Sequence, residues 1–569
     1  MARQYSEADE GDDSSGYNRP RRSSPETVAY LRGLPLDIAV SKAEISSFLN
    51  QTEKSDDFPQ SLAAALSAID EIRMEIASLA GDERGSQCME VLTHISAPYS
   101  EVAARVLLAG CSGYHVHLAT HRYGSHVVQT ILQLTVSSSS EKDLGMDEEA
   151  PQFKESLDAL PTLAELIHEM VEELAPHAAT LAVHVCGSHV LRTLMCVLGG
   201  VSLVSSPGSP NDNKVETGAI LRGKKKSKKK EKRKPSAEES NTPHAGIIHI
   251  VYPKDSRIEA GDFSSSLESL VLALMGKPSN QPGELQQLST HPSAGPLLIV
   301  MLRVLTYSSG SVKKEWENEK VGNDSVNATI ADFRLGISRT EPVFEINSLA
   351  HKVVKRILCW QEGAAEQEHA GGIVHGLSGE PRGSHLLETL LRLTPDDVYE
   401  SIVKCGDFES PTAMQEYVEH DVSNFVVQTL LTTIRKKEQA EAMLKVVEKV
   451  ISSGLAIDAT KKRRGILWRS AELAAKFRVG QEGLLKAVRL GFGAINTSTE
   501  TNTSTETNED TDGKKKKQRK KASAVEIRDC VSLLINLRKS DQEGDRITLD
   551  AAGAQSVYHM LRLPLALKI

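Results

Sequence analysis

A nine-residue segment that returns along the chain constrains this 569-residue sequence more than any other feature. Gly124–Leu132 reads GSHVVQTIL, Gly187–Met195 reads GSHVLRTLM and Gly383–Leu391 reads GSHLLETLL. Weaker copies are Gly85–Leu92 (GSQCMEVL), Ser423–Leu431 (SNFVVQTLL) and Gly553–Leu561 (GAQSVYHML). Degenerate copies stand at Ala294–Leu302, Ala350–Leu358 and Arg463–Ser470. Ser86 and Ser125 are 39 positions apart, Ser384 and Asn424 are 40 apart, and His351 precedes Ser384 by 33. Periods of this size belong to solenoids of two or three helices per repeat. A chain carrying such copies is expected to fold as an all-α, curved helical-repeat solenoid.

Each copy separates into two faces when wound at about 100° per residue. Ser125, Gln129 and His126 fall within one arc of about 100°, whereas Val127, Val128, Ile131 and Leu132 occupy the opposite side. The apolar arc must be buried, and the polar arc gathers two hydrogen-bonding side chains and a ring. Ser125, directly after Gly124, is read as a helix start whose hydroxyl accepts an orphan backbone N–H. Amphipathic stretches between copies, SEVAARVLLAGCS and PTLAELIHEMVEELAPHAATLAVHV, read as first helices packing behind the Gly-Ser-His helices.

The composition agrees. Hydrophobic residues make up 40% but aromatics only 4%, which suits helices packed through Leu, Val and Ala. The polar start of the sequence has no apolar leader segment, and no apolar run reaches the length of a membrane span. Seven cysteines (Cys88, Cys111, Cys186, Cys196, Cys359, Cys405 and Cys530) include no C-x-x-C pair and read as thiols of a soluble intracellular protein. Residues 1–25 read as a disordered tail. Repeats are expected over 26–135, 159–199, 263–305, 341–494 and 523–569. Ser-, Gly-, Asp- and Lys-rich insertions separate them at 136–158, 200–262, 306–340 and 495–522.

The Ser-His helices resemble those of the pumilio (PUF) family, whose repeats read one RNA base each through two or three side chains. The resemblance implies edge-reading pairs Ser86/Glu90, Ser125/Gln129, Ser188/Arg192, Ser384/Glu388 and Asn424/Gln428. It implies stacking positions Gln87, His126, His189, His385 and Phe425. By the family's code, Ser with Glu suggests guanine, Ser with Gln adenine, and Asn with Gln uracil. Pro296, Ile299, Lys352, Lys355 and Trp468 stand at reading positions of the degenerate copies, so looser specificity is expected.

Charge is uneven, although the net value is −9. Lys224, Lys225, Lys226, Lys228, Lys229 and Lys230 open the tract KKKSKKKEKRK, and Lys514, Lys515, Lys516 and Lys517 open KKKKQRKK. Both read as nuclear-localisation signals or phosphate tethers. The Gly-Ser-His helices, irregular spacing and Lys tracts together resemble the nucleolar protein 9 family from about Pro25 onward. That resemblance implies single-stranded pre-ribosomal RNA as the ligand, with small-subunit (18S) maturation as the role. It also implies a nucleolar place, pre-ribosomal and import-receptor partners, a monomer, and an array cut short at Ile569.

No phosphate loop, H-E-x-x-H motif or paired general acid and base is present, and no cofactor or metal is expected. His115, His117, His121 and His126 are dense but lack an evident third ligand or carboxylate. Binding rather than catalysis is therefore expected. The alternatives are an adaptor solenoid for peptides or proteins and a pumilio-type regulator of messenger RNA.

Overall fold

A computed structural model describes residues 18–34, 58–136, 160–204, 249–251, 257, 261–276, 283–309, 342–360, 364–456, 463–502 and 558. The chain forms two compact units, residues 1–281 with 292–324, and residues 282–291 with 325–569.

In the first unit the repeat has three helices rather than two. α1 (Pro25–Gly33) precedes the first triplet: α2 (Phe58–Ile72), short α3 (Ile76–Gly81) and α4 (Glu83–Ser96). The second triplet is α5 (Glu101–Ala109), α6 (His115–Thr120) and α7 (Gly124–Thr135). The third is α8 (Leu163–Leu174), α9 (Ala178–Val183) and α10 (Gly187–Leu198). α11 (Ser264–Met275) and α13 (Ala294–Tyr307) follow, whereas α12 (Gly283–Thr290), between them in the chain, belongs to the second unit. Outer helices α2, α5, α8 and α11 pack in sequence, as do inner helices α4, α7, α10 and α13. Each inner helix thus carries a Gly-Ser-His segment or its degenerate copy. Outer helices start on orthodox caps: Ser100 Oγ accepts from the Ala103 N–H at 3.2 Å, and Thr162 with Glu165 forms a capping box.

The second unit repeats the plan with α14 (Leu349–Ile357), α15 (Ala364–Gly379) and α16 (Pro381–Leu393). Next come α17 (Asp396–Cys405), α18 (Pro411–Glu419) and α19 (Ser423–Thr433). α20 (Lys437–Ser452), α21 (Arg464–Phe477) and α22 (Gln481–Asn502) complete it. Inner helices α16, α19 and α21 pack in sequence, and outer helix α20 packs on α22. The core is the predicted apolar arc: Val127, Ile131, Leu132, Val190, Leu194, Leu386, Leu390, Val426 and Leu430 are all buried. At about 25 cal/mol per Å² of apolar surface, burial of these side chains is the main stabilising term in each unit.

Three expectations change. Ala350–Leu358 lies on α14, the first helix of its triplet, so Lys352 and Lys355 are not on an inner helix and the 33-residue interval is no repeat period. The insertion at 200–262 has ordered ends. Ser202–Val204 (β1) pairs antiparallel with His249–Val251 (β2), Ser202 opposite Val251 and Val204 opposite His249. Arg257 from the same insertion donates to the carbonyls of Ala97, Thr135 and Pro98 at 2.8–3.1 Å, joining the C-terminal ends of α4 and α7. Helix α22 also runs through Asn502, past the expected start of the insertion at 495. The Lys224–Lys234 and Lys514–Lys521 tracts lie outside the described residues, as does the Gly553 copy apart from Tyr558.

Candidate nucleic-acid interface

The start of each inner helix is built by residues upstream of the Gly-Ser pair. Gly187 is the first residue of α10 and Gly383 the third of α16, and a Cβ at either would sit 2.9 Å from the carbonyl oxygen of Leu181 or Leu377 respectively. The preceding helix therefore crosses close against the inner helix only because the side chain is missing.

Three residues before that glycine, or before Ser423, stands the residue that caps the helix. Asp82 accepts the Arg84 and Gly85 N–H groups at 2.8 Å, and Glu380 accepts those of Arg382 and Gly383 at 2.7 and 2.9 Å. His121 Nδ1 takes the same place toward Tyr123 and Gly124, His184 toward Cys186 and Gly187, and His420 toward Val422 and Ser423, at 3.2–3.4 Å. A ring nitrogen that accepts must be unprotonated, so these imidazoles carry their proton on Nε2. The serine after glycine does not cap, contrary to the expectation for Ser125. In three copies its hydroxyl instead donates to the carbonyl three residues back: Ser86 to Glu83, Ser188 to Val185 and Ser384 to Pro381, at 3.0–3.3 Å.

The predicted site residues divide by burial. Stacking positions are open: Gln87 and His385 are exposed, and His126, His189 and Phe425 half-buried. Reading positions are covered: Ser86, Ser125, Gln129, Ser188, Arg192, Ser384, Asn424 and Gln428 are buried, with Glu90 and Glu388 half-buried. They line the seam between neighbouring inner helices rather than an open polar arc. Three of the five long readers are tied to the residue four places earlier. Gln129 Nε2 donates to the Ser125 carbonyl at 2.7 Å, Arg192 Nε to the Ser188 carbonyl at 3.1 Å, and Gln428 Nε2 to Asn424 Oδ1 at 3.0 Å. Such ties fix rotamers before any ligand arrives.

Charges in the seam are desolvated. Burial lowers Arg192 to about 10, which leaves it a cation at neutral pH. His385 Nδ1 lies 3.5 Å from Glu388 Oε1, and that contact raises the imidazole above its usual range. Glu388 Oε2 also accepts from Thr429 Oγ1 of the next inner helix at 2.9 Å. Expected readers of the degenerate copies fare differently. Pro296 and Ile299 are half-buried on α13, whereas Trp468 is buried beneath the Arg469 guanidinium, which stands 4.4 Å from its ring centroid.

The dense histidines do separate work. His115 Nδ1 pairs with Glu173 Oε2 at 2.7 Å, and His117 stacks on His121 at 5.7 Å between centroids. Among the described residues, no three His, Cys, Asp or Glu side chains are placed to hold a metal. Sequence reading missed the cap acceptors, though aligning the copies on glycine would have shown Asp, His, His and Glu three places upstream.

The family described as the NOP9-like PUF repeat domain matches residues 75–564. Nucleolar protein 9 of Pyrenophora teres f. teres is 23% identical over 414 residues, covering 72% of this chain and 49% of that protein. Nucleolar protein 9 of Coccidioides posadasii is 23% identical over 418 residues, covering 72% and 48%. The chain thus spans about half the length of the curated relatives it matches. Among solved structures, APUM23-GGAUUUGACGG aligns with a TM-score of 0.54 at 16% identity, covering 94% of this chain and 75% of that one. APUM23-GGAAUUGACGG aligns at 0.53 and 15%, covering 95% and 75%. The helical-repeat fold is shared with these structures, and by its match over residues 75–564 the chain belongs to the NOP9-like PUF repeat family.

Proposed function

We propose that this chain binds single-stranded RNA along its inner helices and acts by binding rather than catalysis. One observation carries the reading. In five inner helices a ring or planar amide (Gln87, His126, His189, His385 or Phe425) stands exposed or half-exposed beside a polar pair held in the seam. An open planar group can stack on a base, and the adjacent pair can meet the base edge. The APUM23 neighbours are paired with oligonucleotides whose uracils mark them as RNA, which supports the reading.

The curated relatives carry the name Nucleolar protein 9, in keeping with a place in the nucleus and nucleolus. We infer that the RNA is pre-ribosomal and that its sequestration assists maturation of the small subunit. The partners in this reading are pre-ribosomal proteins and, through the Lys tracts, an import receptor, with the chain itself monomeric.

The test compares wild type with His126→Ala, Gln129→Ala, His385→Ala and Glu388→Ala combined, binding single-stranded RNA at two salt concentrations. Stacking contributes about 1–3 kcal/mol per base, so the four changes are expected to weaken binding at least tenfold with the fold intact. Unchanged affinity, reduced only by salt, would assign RNA binding to the lysine tracts and leave the inner-helix row to a protein partner.

A further inference from the structure

The Ser384–Glu388 rung offers a ligand acceptors alone. The Ser384 hydroxyl gives its single hydrogen to the Pro381 carbonyl at 3.0 Å, so only lone pairs are left. A carboxylate carries lone pairs and nothing else. Glu388 keeps 17% of its side-chain surface exposed, and its Oε1, 3.5 Å from His385 Nδ1, has no hydrogen-bond partner among the described residues. Its Oε2 is the oxygen that is held, by Thr429 Oγ1 of the next inner helix at 2.9 Å.

That bond departs from what the other copies do. A threonine follows the long reader in four inner helices: Thr130, Thr193, Thr389 and Thr429. Thr193 and Thr389 donate to carbonyls of their own helix four residues back, His189 at 3.1 Å and His385 at 2.8 Å, the local bond such a hydroxyl makes by default. Thr429 reaches across to α16 instead. Cations that could take up the freed carboxylate are close by. Glu388 and Arg392 both act electrostatically on Arg469, which is buried on α21 with its Nε lacking a hydrogen-bond partner among the described residues.

We propose that Thr429 is a specificity-determining residue of the Ser384–Glu388 rung. It acts as a positioning residue from the neighbouring helix, keeping the carboxylate beside the exposed His385 ring and away from Arg392 and Arg469. The inference rests on the RNA reading above. An acceptor-only rung favours the base edge with two adjacent N–H donors, which among the four common bases is guanine's. Adenine and cytosine set a ring acceptor beside their amino group, and uracil flanks its one N–H with carbonyls. Once the hydroxyl is gone, the carboxylate can turn to the arginines, and the lone pairs that disfavour those three bases no longer stand at the rung.

The test is selection from a randomised single-stranded RNA pool by the full chain, comparing wild type with Glu388→Gln, Thr429→Val, Thr429→Ala and Thr429→Ser. Glu388→Gln identifies the motif position this rung reads. At that position Thr429→Val, which keeps the shape and removes the hydroxyl, is expected to lower guanine by roughly threefold or more, because a hydrogen bond to a charged group is lost. Other positions should stay within about twofold. Thr429→Ser, which restores the hydroxyl, should keep the wild-type preference. Thr429→Ala also lacks the donor and should relax the same position, which keeps the test decisive if the valine variant misfolds. If Glu388→Gln shifts one position and neither Thr429→Val nor Thr429→Ala shifts it, the inference fails and the RNA reading stands. Serine and valine behaving alike, or relaxation spread over every position, would also overturn it. Glu388→Gln shifting no position would show that this rung reads no base, and the inference fails with it. A wild type that retains no RNA sinks the RNA reading itself.

Discussion

His184 Nδ1 lies 3.2 Å from the backbone nitrogen of Gly187 and accepts its hydrogen, so an imidazole caps the helix that carries Ser188, His189 and Arg192. Asp82 does the same for α4 with a carboxylate. Loss of such a cap costs about 0.5–2 kcal/mol. His184→Ala is therefore expected to destabilise α10 by about 1 kcal/mol, and His184→Asp to recover most of it. Hydrogen exchange of the Cys186–Val190 amides checks this, and equal exchange in the alanine and aspartate variants would refute it.

Acid should loosen the histidine-capped helices. Burial lowers His121 and His184 below the ordinary value of 6.5, and burial lowers His94 to about 4. A depressed histidine pKa means the unfolded chain binds the proton more readily. The stability these groups contribute is complete above pH 6.5 and is lost as pH falls toward their folded values. His385, raised by Glu388, runs the other way and loses its contribution as pH rises through its folded pKa. Chemical denaturation between pH 7 and about pH 4 should show falling stability, with a shallower slope in His94→Leu. A flat profile would contradict the assignment.

Gly383→Ala tests the close crossing at the start of α16. Its Cβ would meet the Leu377 carbonyl at 2.9 Å and the Leu377 Cα at 3.0 Å, both backbone atoms with no rotamer to yield. The expected cost is about 1–3 kcal/mol, as for overpacking elsewhere. A thermal melt no lower than wild type would show that α15 can slide away at little cost.

Arg257 should matter more than its place in an insertion suggests. It donates to three carbonyls at the ends of α4 and α7, where the helix dipoles favour a cation. Arg435 does likewise in the second unit, donating to the Arg392 and Thr394 carbonyls at 3.1 and 2.7 Å. Arg257→Gln is expected to destabilise the first unit by about 2 kcal/mol, read as faster exchange at Ser96–Ser100 and Leu134–Val136. Unchanged exchange would make the clamp incidental.

Much of this was legible in the sequence, for identifiable reasons. The apolar arc of GSHVVQTIL repeats with helical period, so the inner helices, their buried faces and the relationship to PUF proteins could be read from Val127, Ile131 and their equivalents. The third, short helix could not, because six residues such as His115–Thr120 are too brief to show a period. Serine favours the cap position, so Ser125 stands out in the sequence, yet His121 upstream accepts the Tyr123 and Gly124 N–H groups. Lys352 and Lys355 were misplaced because outer and inner helices share one amphipathic pattern. The contact of Arg469 with Gln428 spans 41 positions, which no local window contains.

The β1–β2 ribbon has a further consequence. Because Val204 stands opposite His249, the two ends of the intervening segment lie about 5 Å apart, one strand spacing. That doorway is the same width whatever passes through it. The segment between can lengthen, shorten or be exchanged for foreign sequence while the helices on either side keep their register. Val204 and His249 are thus a natural splice point, where a reporter could be grafted without disturbing the rungs.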